Sequence, residues 1–131
     1  MMPRQELRKL ARNRLKDAEI LYVHRRYAGA VYLCGYSIEL ALKARICQTL
    51  KWKGFPETTA EMSHYRSFIV HDLEVLLHLS GIEAQVHTGY LTEWSIVLRW
   101  RPELRYQPAR QTTRIDAMNM LNAAKTLAYV L

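Results

Sequence analysis

The chain's 131 residues allow one domain, 1–131, that buries a core without disulfide or metal staples. Half of them are hydrophobic, yet no run approaches the roughly 20 apolar residues of a membrane span. The basic start MMPRQELRKLARNRLK has neither a signal core nor a cleavage site, so a soluble cytoplasmic protein is expected. Net charge is +7, unevenly spread: residues 1–53 carry 12 Lys/Arg against 4 Asp/Glu, residues 54–98 carry 1 against 6, and residues 99–131 carry 6 against 2. Such asymmetry suits a basic surface facing an anionic partner, or opposite charges meeting in an oligomer.

The first helix is predicted from Pro3, a good first-turn residue, to about His24. Its apolar stripe is Leu7, Leu10, Ala11, Leu15, Ala18, Leu21 and Tyr22. Across from it lie Arg8, Arg12 and Lys16 at four-residue spacing, where like charges repel unless an anion neutralises them. They read as a solvated face or as a phosphate-binding strip. Arg25, Arg26 and Tyr27 make a short connection, predicting antiparallel neighbours.

The second helix, Tyr27 to Leu50, organises the fold. Val31, Cys34, Gly35, Ile38, Leu42 and Ile46 fall on one stripe, and Leu33, Leu40, Ala44 and Cys47 on the opposite one. A helix apolar nearly all round must be covered on several sides. Its polar window is Glu39 and Lys43, one turn apart, with Tyr32 and Tyr36 on the same side. Cys34 and Cys47 lie roughly 20 Å apart along the axis, beyond disulfide reach, and read as core thiols.

Gly54 and Pro56 break the pattern, and the segment to about Val70 reads as a loop, with room for a helical turn in EMSHYR. Asp72 then caps a short helix, DLEVLLHLS, that Gly81 stops. A third long helix is expected from between Ile82 and Thr88 to about Trp100. Pro102 and Pro108 bracket a rigid connection. Thr113 caps the last helix, with Ile115, Met118, Leu121, Ala124, Ala128 and Leu131 inward. The predicted architecture is all-α: an antiparallel up-and-down four-helix bundle with a short extra helix before the third long one.

The succession RLKDAEIL, RRYAGAVYLCGYSIELALKA, HDLEVLL, then LRYQP and an alanine-rich final helix resembles the HEPN family of small helical bundles. The most specific pieces are GYSIELALKA and HDLEVLL, in the right order and separation. The resemblance implies a homodimer found with a minimal nucleotidyltransferase in toxin–antitoxin pairs or in RNA-directed systems. Many members are metal-independent ribonucleases that use an Arg, four to six residues, then a His; others have lost the motif.

Arg66 and His71 match that spacing. RNA cleavage needs a base for the 2′-hydroxyl and a cation for the phosphate, which His and Arg supply. Against this, Ser67 follows the Arg where active relatives often carry Asn, and apolar residues fill the interval. The other reading of His71 is structural: a hydrogen bond across the bundle, or a cap for the helix at Asp72. Glu39 and Lys43 read either as a polar lock between helices or, with Tyr32, Tyr36, Asp72, Arg105 and Tyr106, as the lining of a cleft for a nucleotide or a partner's side chain. Arg99, Arg101 and Arg105, interleaved with Trp100 and Tyr106, suit single-stranded nucleic acid or a protein interface. No metal or cofactor is expected, because the His and Cys residues lack ligand spacing. Two functions stand: a binding module for a nucleotide, nucleic acid or partner nucleotidyltransferase, and a ribonuclease toxin acting through Arg66 and His71.

Overall fold

A computed structural model of the chain describes residues 1–57, 71–101 and 111–131. Among these residues the elements in chain order are β1 (Met2–Pro3), α1 (Arg4–Val23), α2 (Tyr27–Leu50), β2 (Gly54–Phe55), α3 (Leu73–Ser80), α4 (Glu83–Gly89), α5 (Leu91–Val97) and α6 (Arg114–Val130). Among the described residues the fold is all-α apart from the short β1–β2 bridge, and no described helix is long and apolar enough to cross a membrane.

The apolar stripes of α2 dictate its position. Cys34, Ile38, Leu42 and Ile46 on one side and Leu40, Ala44 and Cys47 on the other are all buried, each large side chain contributing about 1.5–3 kcal/mol on leaving water. Three helices cover it: α1, α3 and α6. Hydrogen bonds fix each neighbour. Ser37 Oγ donates to the Ala11 carbonyl of α1 at 2.6 Å, Thr49 Oγ1 donates to the Ser80 carbonyl that ends α3, and Arg45 donates to the Val130 carbonyl of α6 at 2.9 Å.

Both α1 and α2 end in a residue with left-handed backbone, Arg25 at φ 62° and Lys51 at φ 57°. In each turn the next two amide groups bond back across the last helical turn: Arg25 to Tyr22 and Arg26 to Leu21, then Lys51 to Gln48 and Trp52 to Cys47. This is a glycine-type helix stop built without glycine. The first stop turns α2 back antiparallel along α1. The second leads to Gly54 and Phe55, which pair antiparallel with Pro3 and Met2.

At α3, Asp72 accepts hydrogen bonds from the Glu74 and Val75 amides, and Gly81 at φ 81° ends the helix as expected. Thr113 caps α6 in a reciprocal box with Asp116.

Two expectations are corrected. The third long helix is two short ones, broken at Tyr90, whose φ of −137° and ψ of 31° are not helical. Gly89, the weakest helix former in the run, adjoins the break. In α6 the buried face is Ala117, Met120, Leu121, Ala123, Ala124, Leu127 and Val130, whereas Ile115, Met118 and Ala128 are exposed. Alanines permit close approach to neighbouring helices, so Ala117, Ala123 and Ala124 share the inward face with Met120, Leu121, Leu127 and Val130 while Ile115 and Met118 turn outward. The expected turn in EMSHYR, Pro102 and Pro108 lie outside the described residues.

Candidate functional site

Glu39 sits midway along α2, 2% exposed, where the covering helices leave no water for its carboxylate. A charge so placed must be paired and hydrogen-bonded. Its Oε2 lies 3.5 Å from Lys43 Nζ, one turn further along α2, and its Oε1 lies 2.8 Å from His71 Nδ1. An ionised carboxylate only accepts, so the contact assigns the shared proton to Nδ1. That leaves Nε2, on the opposite edge of a side chain 63% exposed.

Local structure positions each partner. His71 immediately precedes Asp72, and the Asp72 cap ties this stretch to the start of α3. Asp72 is thereby committed as a helix cap. Lys43 is held by a second attraction, its Nζ lying 5.3 Å from the centroid of the Phe55 ring. Phe55 is buried and registered by its pairing with Met2.

Aromatic residues form the other flank. Tyr32 packs against Trp100, ring centroids 6.1 Å apart and tilted by 44°. Trp100 lies across Gly35, where a Cβ would overlap its indole ring, so the indole can cover α2 only because that position has no side chain. Tyr36 is half-buried, and burial first, then the Glu39 charge, raises its phenol pKa above the ordinary value. The indole nitrogens of Trp94 and Trp100 are buried without a hydrogen-bond partner among the described residues.

The structure therefore brings together Glu39, Lys43 and His71, with Tyr36 within electrostatic reach of Glu39 and Tyr32 joined to the Trp100 flank. Arg66, Arg105 and Tyr106 lie outside the described residues. Arg99 and Arg101 are exposed, while Trp100 between them is buried, so these three do not share a surface. Arg8 and Arg12 line a groove of about 570 Å³ together with Arg4 and Gln48, without Lys16. Sequence reasoning missed Phe55, the Trp100 cover, Arg4 and Gln48. Gly35, isolated in an apolar helix, was the one available sign of a close approach.

Chemically, the arrangement is a buried carboxylate that orients an exposed imidazole beside a cation. It suits recognition of an anionic or hydrogen-bonding group, and it fixes which imidazole nitrogen is free. Residues 5–129 match the family model described as HEPN domain. No curated protein and no solved structure matches the chain.

Proposed function

Since the chain belongs to the HEPN domain family, we propose that it is a binding module, a single-domain four-helix bundle in which α4 and α5 together occupy the third helix's place. In this reading it homodimerises, serves a nucleotide, nucleic acid or partner nucleotidyltransferase, and does not cleave RNA. The observation that carries the reading is the commitment of both Glu39 oxygens, one to His71 and one to Lys43. A buried carboxylate with two partners holds the Lys43 ammonium and the exposed His71 imidazole in a fixed arrangement, preorganised before a ligand arrives.

The test is to express the full chain alone and follow growth and RNA integrity, then measure nucleotide binding calorimetrically with wild type and His71→Ala. The binding reading predicts normal growth, intact RNA, and binding lost in the folded variant. Growth arrest that His71→Ala abolishes would overturn it.

One observation favours the second reading, a metal-independent ribonuclease using Arg66 and His71. The Glu39–His71 contact holds an imidazole by Nδ1 with Nε2 free, as general-base catalysis requires. That reading predicts RNA cleavage lost in both Arg66→Ala and His71→Ala.

A further inference from the structure

Arg4, Arg8 and Arg12 follow one another at four-residue spacing up α1, each rising about 6 Å on the last. That spacing alone fits an ordinary solvated face. The fold changes its meaning by bringing Gln48 and Arg45, from the end of α2, against the same stretch. Gln48 accepts from Arg8 Nη2 at 3.4 Å. Arg45 reaches to the Val130 carbonyl, and its Nε is buried with no hydrogen-bond partner among the described residues.

The groove between α1 and the end of α2, about 570 Å³, is lined by Arg4, Gln5, Glu6, Arg8, Lys9, Arg12 and Gln48. Among the described residues no carboxylate pairs with Arg4, Arg8, Arg12 or Arg45, and Glu6 is the only acid lining the groove. Arg8 is half-buried, and its guanidinium pKa is lowered first by burial and then by Arg45, Arg4 and Arg12. Crowded cations lodged in a groove destabilise a fold unless an anion occupies it.

A second groove of about 400 Å³ continues the first, sharing Arg4, Gln5 and Gln48 and adding Lys51, Trp52 and Lys53. Together they make a basic track from Arg12 to Lys53. Gln48 lies nine residues after Glu39, about half a turn round the helix, so the track runs on the side of α2 away from Glu39.

We propose that this track binds a run of phosphate groups, held by Arg4, Arg8 and Arg12 with Gln48, at a site separate from the Glu39–His71 pair. A run of phosphates comes from a nucleic-acid strand or from a free polyphosphate. The length of the joined grooves exceeds what a single phosphate needs, and the rise between successive arginines is comparable with the step between phosphates of a strand.

The experiment is fluorescence anisotropy on the full chain with a labelled oligouridylate of about 12 nucleotides, competed with ATP and with inorganic tripolyphosphate. Binding should weaken linearly in log–log with salt, at about 0.7 per phosphate neutralised. Arg8→Gln and Arg12→Gln should each weaken it about tenfold and flatten that slope. Both variants remove a crowded charge, so circular dichroism should show them folded, with Arg8→Gln melting at or above the wild-type temperature. Displacement by tripolyphosphate at matched phosphate concentration identifies a free polyphosphate as ligand; retention of the oligonucleotide identifies a strand. His71→Ala should leave this binding intact, which separates the track from the function proposed above. Wild-type affinity in the Arg8→Gln/Arg12→Gln double variant, or no salt-dependent binding of either probe, would overturn the proposal.

Discussion

Glu39→Gln keeps the size of the side chain and one acceptor oxygen but removes the charge that Lys43 and His71 share. At the 3.5 Å Lys43–Glu39 separation, an effective dielectric of 20 gives a gross attraction of roughly 5 kcal/mol. The substitution also relieves the cost of burying a carboxylate, several kcal/mol of opposite sign. His71 adds little on the same scale, because its side chain is mostly exposed and screened. What remains uncompensated is one charge-assisted hydrogen bond and a donor now facing donors, for a net loss of about 2 kcal/mol. For a chain of this length that is a fall in melting temperature of roughly 6–8 °C. Urea unfolding followed by circular dichroism should show the midpoint fall with an unchanged slope. A double cycle with Lys43→Met should return a coupling of about 1 kcal/mol. A variant as stable as wild type, or coupling near zero, would refute the claim that the carboxylate is held by its partners.

Gly35→Ala should destabilise by about 2–3 kcal/mol, since the new methyl collides with the Trp100 ring, and near-ultraviolet circular dichroism should report the displaced indole. Cys34 is fully buried and its thiol pKa is pushed up to about 12, chiefly by burial, while Cys47 is raised for the same reason. Neither should react with a thiol reagent at pH 8 faster than the protein unfolds; a burst of labelling would contradict the burial. The Asp116 pKa lies below its ordinary value, first because its carboxylate accepts from the Thr113 amide and then because of the Thr113 side chain. A depressed acid stabilises the fold above the unfolded pKa and loses that contribution as pH falls through the folded one. Thr113→Ala should cost about 1 kcal/mol through the lost Asp116 amide to Thr113 Oγ1 bond and keep most of that pH dependence, because the backbone amide that chiefly depresses Asp116 survives the change, as read by urea titrations at neutral and acid pH.

Periodicity was enough to find α2 as the interior helix, because burial on several sides leaves an apolar pattern that no surface helix shows, and the family match covers the span that GYSIELALKA and HDLEVLL suggested. The caps at Asp72 and Thr113 were equally legible, since their chemistry is local. Packing details were not. In α6 the expected stripe found Leu121, Ala124 and Leu131, but nothing local marks Ala117 as turning inward and Ile115 outward, because the choice depends on how closely neighbouring helices approach. The stops at Arg25 and Lys51 lack the glycine that signals such turns. The 2.8 Å contact between Glu39 and His71 joins residues 32 positions apart; the sequence named both and allowed a hydrogen bond across the bundle, but it could not name the partner. Arg45 entered the neighbourhood of Arg8 for the same reason, through tertiary packing that α1's own spacing does not encode.

The central claim is that a carboxylate buried in α2 fixes His71 by Nδ1 and leaves Nε2 free. Long-range nitrogen–proton correlation on the His71 ring, recorded at a pH where the imidazole is neutral, tests it directly. The account predicts the Nδ1–H tautomer in wild type, with the preference lost in Glu39→Gln. A wild-type ring that is predominantly Nε2–H, or that mixes both tautomers as a free histidine does, would contradict it.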